Sequence, residues 1–296
     1  MHLFFKISIL LVFIISFFNV LFSFIYGIHN FYNIFLVEYY KLNLEAISNI
    51  RFPGIFGMTY TAGIWFVFYM YIAIYYDYNE FYKFLILLIG VFANTKVFYL
   101  SVPFILMEYY YKYKINTKYS IKKKFKFKNI IYICCGIFFV IFVFVTLKNF
   151  NSKYFYTLLL RSKSIILNDP LAGRGYNIVA QNIRYIINNN FWHGVGFLKT
   201  PYTLFNYGLW DSGFNYMLNF GGVINLIFQS IFYIYLFWEI FKTSRYKIIS
   251  YIFLINWYLI NLGTLAFYAE RISDIIFLYL GLEYGYSKLA IINKKR

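Results

Sequence analysis

The chain has 296 residues, 61% of them apolar and only 13% charged, and carries a net charge of +17. The length would fit one or two soluble domains, but no stretch combines amphipathic alternation with interleaved charge, so a water-soluble core is excluded. The positive charge sits in short blocks between long apolar runs, a pattern that orients a membrane protein and does not point to nucleic acid.

Taken in chain order, the uncharged runs are Ile7–Ile28, Ile55–Tyr76, Asn129–Leu147, Ser212–Trp238 and Ile248–Ala269. Each reaches the roughly 18 residues that cross the hydrocarbon core as a helix. The first run is longer than a signal-peptide core and has no small-residue cleavage site before Gly27, so it is expected to be a retained span. Phe84–Thr95 and Val97–Met107 are half-length apolar runs interrupted at Lys96. A tight hairpin turning at Asn94-Thr95-Lys96 keeps that lysine near water, whereas one continuous helix would bury it.

Residues 112–128 hold eight lysines and no acid, which marks a basic cytoplasmic loop. Counting outward from it places 29–58 and 148–212 outside, spans at 129–147, 213–239, 248–268 and 275–292, and the C-terminal Lys294-Lys295-Arg296 inside. The expected fold is an all-α polytopic integral membrane protein, one transmembrane domain over 1–296, with about eight transmembrane helices (seven if 84–107 is one helix) and one long external loop. Cys134 and Cys135 are adjacent within a span and form neither a metal motif nor a disulfide pair. Glu283, inside the last span, is unusual there and is expected to be a bundle-internal partner or a neutral acid.

The chemistry-bearing residues fall in the two external segments. Loop 148–212 carries Lys148, Lys153, Arg161, Lys163, Arg174, Arg184 and Lys199 against only Asp169 and Asp211. Such a loop is either a tolerated cationic surface or a site for an anionic ligand, since guanidinium groups grip phosphate oxygens in pairs. Arg51 opens the Arg51-Phe-Pro-Gly-Ile-Phe-Gly57 turn, where an interfacial anchor is the plainer role. His193 lies between Trp192 and Gly194, as an aromatic-belt neighbour or a functional imidazole. Asp211 precedes Ser-Gly-Phe-Asn-Tyr-Met-Leu-Asn-Phe-Gly-Gly222, where a carboxylate caps a helix start near Gly213 or does chemistry. Trp192, Tyr202, Tyr207 and Trp210 are the aromatic candidates for sugar contact.

Arg-x-x-Gly-x-Phe-Gly at 51–57, the Thr-Lys break at 95–96, Gly173-Arg174, His193-Gly-Val-Gly196 and the polar turn entering Asn219-Phe-Gly-Gly222 together resemble the O-antigen polymerase and O-antigen ligase superfamily, over roughly residues 51–240. The resemblance implies a multi-span enzyme of the bacterial inner membrane that polymerises undecaprenyl-diphosphate-linked oligosaccharide repeat units into O-antigen or capsule. It implies that Arg51, Arg174 and Arg184 bind the donor diphosphate. A carboxylate or imidazole would orient or deprotonate the acceptor hydroxyl in such a reaction, with Asp211 the first candidate and His193 the second. No metal and no cofactor are expected. The implied partners are a lipid-linked glycan donor and acceptor, the lipid bilayer, and a chain-length regulator and flippase of the same pathway; no nucleic acid is expected. Asp211-Ser-Gly resembles the polymerases more than the ligases, whose His-Asn frame is occupied here by Asp211-Ser212. The competing readings are an O-antigen ligase and a non-enzymatic transporter or flippase of lipid-linked glycan.

Overall fold

The structure, a computed structural model, describes residues 2–35, 59–119, 191–194, 213–242, 244 and 246–261, with helical positions at 277, 281, 284, 285 and 288. All regular structure among the described residues is helical. The chain divides into two compact units, Met1–Pro170 and Leu171–Arg296.

The first unit is built around α3 (Thr59–Tyr75). From Ala62 to Tyr75 nearly every side chain is apolar and all are buried, as expected of a helix that is hydrophobic all round. Its C-terminus is closed by Asp77 in the left-handed region (φ 55), with Tyr78 N–H bonded to the Ala73 carbonyl at 2.8 Å and Asp77 N–H to the Ile74 carbonyl at 3.2 Å. That is the reciprocal pairing that usually takes glycine at this point. Burial pushes the Tyr78 phenol up to about 12, with nearby Tyr82 adding to the effect.

α4 (Glu80–Ala93) and α5 (Lys96–Tyr119) form a helical hairpin. Asn94 turns the chain in the left-handed conformation (φ 50), and the Thr95 hydroxyl caps α5 by accepting the Phe98 N–H at 3.3 Å. At the far end, the Tyr109 hydroxyl donates to Glu80 at 3.1 Å, so the two helices run antiparallel. The expected turn at 94–96 is therefore present. The stretch expected to open a loop at Lys112 instead continues α5 to Tyr119.

Two glycines set the spacing of this bundle. Gly63 on α3 faces Thr95, and Gly90 on α4 lies against the Phe98 ring. Small residues at helix contacts let the backbones approach. Gly90→Ala would drive a methyl into a ring that is fully buried. We expect it to destabilise the first unit by about 1–3 kcal/mol in thermal unfolding in detergent. Gly281→Ala, where an added carbon meets nothing among the described residues, serves as the comparison.

α1 (His2–Tyr26) packs beside this bundle. Phe5, Ile9, Val12, Ser16, Asn19 and Ser23 face inward, whereas Leu3, Ile7, Leu11, Ile14 and Phe18 are exposed. The Ser8 hydroxyl meets the Tyr69 hydroxyl at 2.6 Å, and the His2 ring stacks edge-on against Tyr76 with centroids 4.2 Å apart. The span expected at 7–28 thus begins earlier and ends at Gly27 (φ 92), whose conformation turns the chain into α2 (Ile28–Phe35).

The second unit contains α6 (Gly213–Lys242) and α7 (Lys247–Ile260), packed antiparallel. Trp238 stacks on Tyr251, Phe241 meets Phe253 edge-on, and Tyr258 donates to the Ser230 hydroxyl at 2.8 Å. Ile227, Phe228, Ile231, Phe232 and Tyr235 are exposed along α6. Among the described residues, two segments are long and apolar enough to cross a membrane, His2–Ser23 and Gly221–Glu239.

Candidate functional site

The sequence Asn219-Phe-Gly-Gly222 places two consecutive glycines inside a long apolar run. Glycine is the weakest helix former after proline, and here the helix breaks. Gly221 has φ −137 and ψ 15, and Gly222 has φ 65 and ψ −162. The second pair of angles is essentially accessible only to glycine. α6 is therefore two arms, a short one before Gly221 and a long one after Gly222, where the sequence pattern suggests one continuous span.

A break strands carbonyls at the end of one arm and N–H groups at the start of the next. In an apolar surrounding each must find a partner. The Asn225 side-chain amide donates to the Met217 carbonyl at 2.9 Å, spanning the break, and its own oxygen accepts from Gln229 at 2.8 Å. On the other side, the Val223 N–H donates to the Phe191 carbonyl at 3.0 Å. The turn Phe191–Gly194 is thus tied to the broken helix by its backbone. A Cβ at Gly222 would strike the carbonyls of Phe191 and Trp192, so only glycine permits this approach.

The turn leaves three side chains accessible. Phe191 and Trp192 pack edge to face with centroids 5.0 Å apart, and His193 is exposed beside them. Gly194 (φ 65) then redirects the chain. Beneath the turn lies the N-terminal end of the long arm, which carries the positive end of its helix dipole.

The start of α6 is fixed separately. Gly213 N–H donates to the Asn261 carbonyl at 2.8 Å, and the buried Asn261 side chain bonds back to the Trp257 carbonyl at 3.0 Å. Gly213 packs directly on Asn261, leaving no room for a side chain. The helix start expected near Gly213 is present, and residues 213–220 span about 12 Å along their axis. The turn bearing His193 therefore meets the far end of the short arm from Gly213.

Of the residues singled out from sequence, His193 and Trp192 are brought to the break. Asp211, Arg51, Arg174 and Arg184 lie outside the described residues, as do Tyr202, Tyr207, Trp210, Glu283 and the two cysteines. Sequence reasoning missed Asn225, Gln229 and Asn261. Two amide side chains four residues apart within an apolar run were the available signal for the first two. Among the described residues, no group of three or more His, Cys, Asp or Glu side chains is placed to hold a metal ion.

Comparison of the chain with protein-family models, with curated proteins and with solved structures gives no match. The described residues define a helical protein with two segments able to cross a membrane by length and composition, the second of them starting at the break where the Phe191–Gly194 turn docks.

Proposed function

We propose that the protein is a multi-pass bacterial inner-membrane glycosyltransferase of about eight spans that polymerises undecaprenyl-diphosphate-linked oligosaccharide repeat units into O-antigen or capsule at the external face. The observation that carries this reading is the docking of the His193 turn onto the Gly221–Gly222 break. Two motifs about thirty residues apart, both among those that carry the family resemblance, are joined by a backbone contact that only glycine tolerates.

In this reading the growing glycan leaves its diphosphate carrier as a hydroxyl of the next lipid-linked unit attacks the anomeric carbon. Arg51, Arg174 and Arg184 stabilise the departing diphosphate, and well-placed donors in a water-poor site contribute about 2.7–4 kcal/mol each to such a step. Asp211 or His193 takes the acceptor proton. Trp192 offers an exposed ring for the apolar face of a sugar.

The broken helix also favours a second reading, a transporter of lipid-linked glycan, because discontinuous helices line transport sites. Surface glycan from cells lacking the gene, complemented with wild type or with Asp211→Ala, Arg174→Ala or Arg184→Ala at matched abundance, separates the two on a gel. Polymerisation predicts a ladder with wild type, a single repeat in the null, and loss of the ladder in each variant. A null with no surface repeat while lipid-linked chains accumulate points to ligation or transport. Ladders surviving all three substitutions remove these residues from the site.

A further inference from the structure

The buried face of α5 runs through Phe98, Ser101, Ile105, Glu108 and Lys112. These alternate by steps of three and four, the spacing of a packed helix seam. Its last two members are ionisable. Glu108 is 1% exposed, and neither of its carboxyl oxygens has a hydrogen-bond partner among the described residues. Lys112, one turn further and 4% exposed, donates from Nζ to the Tyr75 carbonyl at 2.8 Å. The turn after α3 satisfies the carbonyls of Ala73 and Ile74, so Lys112 serves the next carbonyl, at the negative end of that helix.

A buried carboxylate without a donor is strongly disfavoured, and the neutral acid avoids most of the penalty. The order Glu then Lys four residues on is also the favourable one for pairing along a helix. We propose that Glu108 is a proton-exchange site of the first unit, with Lys112 as the partner it acquires when it gives up its proton. The O–H bond of the acid breaks and the proton passes to water. The electron pair stays on the carboxylate, and one of the three ammonium N–H donors of Lys112 turns toward it. The ammonium is then divided between Glu108 and the Tyr75 carbonyl.

The consequence reaches beyond the pair. Tyr75 leads into the Tyr76–Asn79 turn, where Tyr76 meets the His2 ring, and Lys6 lies over the Tyr78 ring at 5.2 Å. Weakening the cap loosens the joint between α1, α3 and α4. Other ionisable groups of the elements at this end are His2 and Lys6 on α1, Tyr69, Tyr71 and Tyr75 on α3, Asp77, Tyr78, Glu80, Tyr82 and Lys83 across the turn and α4, and Tyr109 to Tyr111, Tyr113 and Lys114 on α5. Glu80 already holds Lys83 at 2.8 Å and the Tyr109 hydroxyl at 3.1 Å. Burial, with Glu80 adding, pushes the Tyr109 phenol up to about 12, well above neutral pH.

The full chain, labelled with carbon-13 glutamate and purified in detergent, tests this by difference infrared spectroscopy of the protonated carboxyl stretch across neutral pH. Wild type is expected to show a labelled band that disappears as pH rises, Glu108→Gln to lack it, and Lys112→Gln to keep it to more alkaline pH. Thermal stability should follow. The native state then binds one more proton than the unfolded chain, so wild type loses stability as pH rises through the window, whereas Glu108→Gln changes less. Identical spectra for wild type and Glu108→Gln overturn the site. Should Glu108→Gln not fold, Lys112→Gln decides alone, because a band that keeps its wild-type pH dependence in that variant overturns the proposed partnership.

Discussion

Gly222→Ala is expected to release the Phe191–Gly194 turn from α6 and to abolish the glycan ladder. The residue has φ 65 and ψ −162, a conformation that costs a non-glycine residue about 1–3 kcal/mol by itself. The added methyl also meets backbone carbonyls on two residues of the docked turn, and backbone cannot rotate aside as a side chain can. Moving the turn away breaks the bond from Val223 N–H to the Phe191 carbonyl, leaving a helix-terminal N–H without its partner. Gly221→Ala is the matched comparison. Its angles are not left-handed, and its methyl meets the Asn225 side chain, which yields at the expense of its bond to Met217. We expect that variant to lose about 1 kcal/mol and to retain a shortened ladder. Thermal unfolding in detergent and surface-glycan gels would check both. Equal stability of the two variants would mean that the turn is not held as described.

The contrast between these neighbouring glycines also marks how far the sequence could be read. The hairpin at Asn94-Thr95 was legible because polar turn residues interrupt two apolar runs, and a turn is the cheapest way to keep Lys96 near water. The helix start at Gly213 was legible because a polar turn enters an apolar run there. The break at Gly221–Gly222 was not, since an uncharged run has the same composition whether its helix is continuous or interrupted. What stabilises the break is a main-chain carbonyl of Phe191 and an amide at Asn225. The first has no sequence signature at all, because every residue carries a carbonyl.

Glu108 and Lys112 were hidden for a different reason. Lys112 opens the lysine-rich stretch that marks a basic loop, and Glu108 directly follows the apolar run ending at Met107, so composition alone sets both at a boundary. The steps of three and four from Phe98 through Lys112 show that the buried face of α5 continues past the apolar run. Charge content located the edge of the hydrophobic segment, whereas periodicity located the edge of packing, and here the two differ by more than a helical turn.

His193→Ala tests whether the docked turn contributes chemistry or only shape. The side chain is exposed, so its removal should change stability by no more than about 0.5 kcal/mol. The backbone of the turn, which holds the contact with α6, is untouched by the substitution. If the imidazole takes or gives a proton in the proposed transfer, chain extension should slow by about 10²–10⁴-fold while the protein remains folded and abundant. His193→Gln refines the result, because a glutamine donates and accepts hydrogen bonds but does not exchange a proton near neutral pH. A glutamine variant as slow as the alanine variant assigns proton transfer to His193. Recovery with glutamine assigns it the orientation of a sugar hydroxyl, and Asp211 then stands as the remaining acid-base candidate. Full activity in both variants would leave the turn as a structural brace on the broken helix, with the chemistry carried by the segment before Gly213.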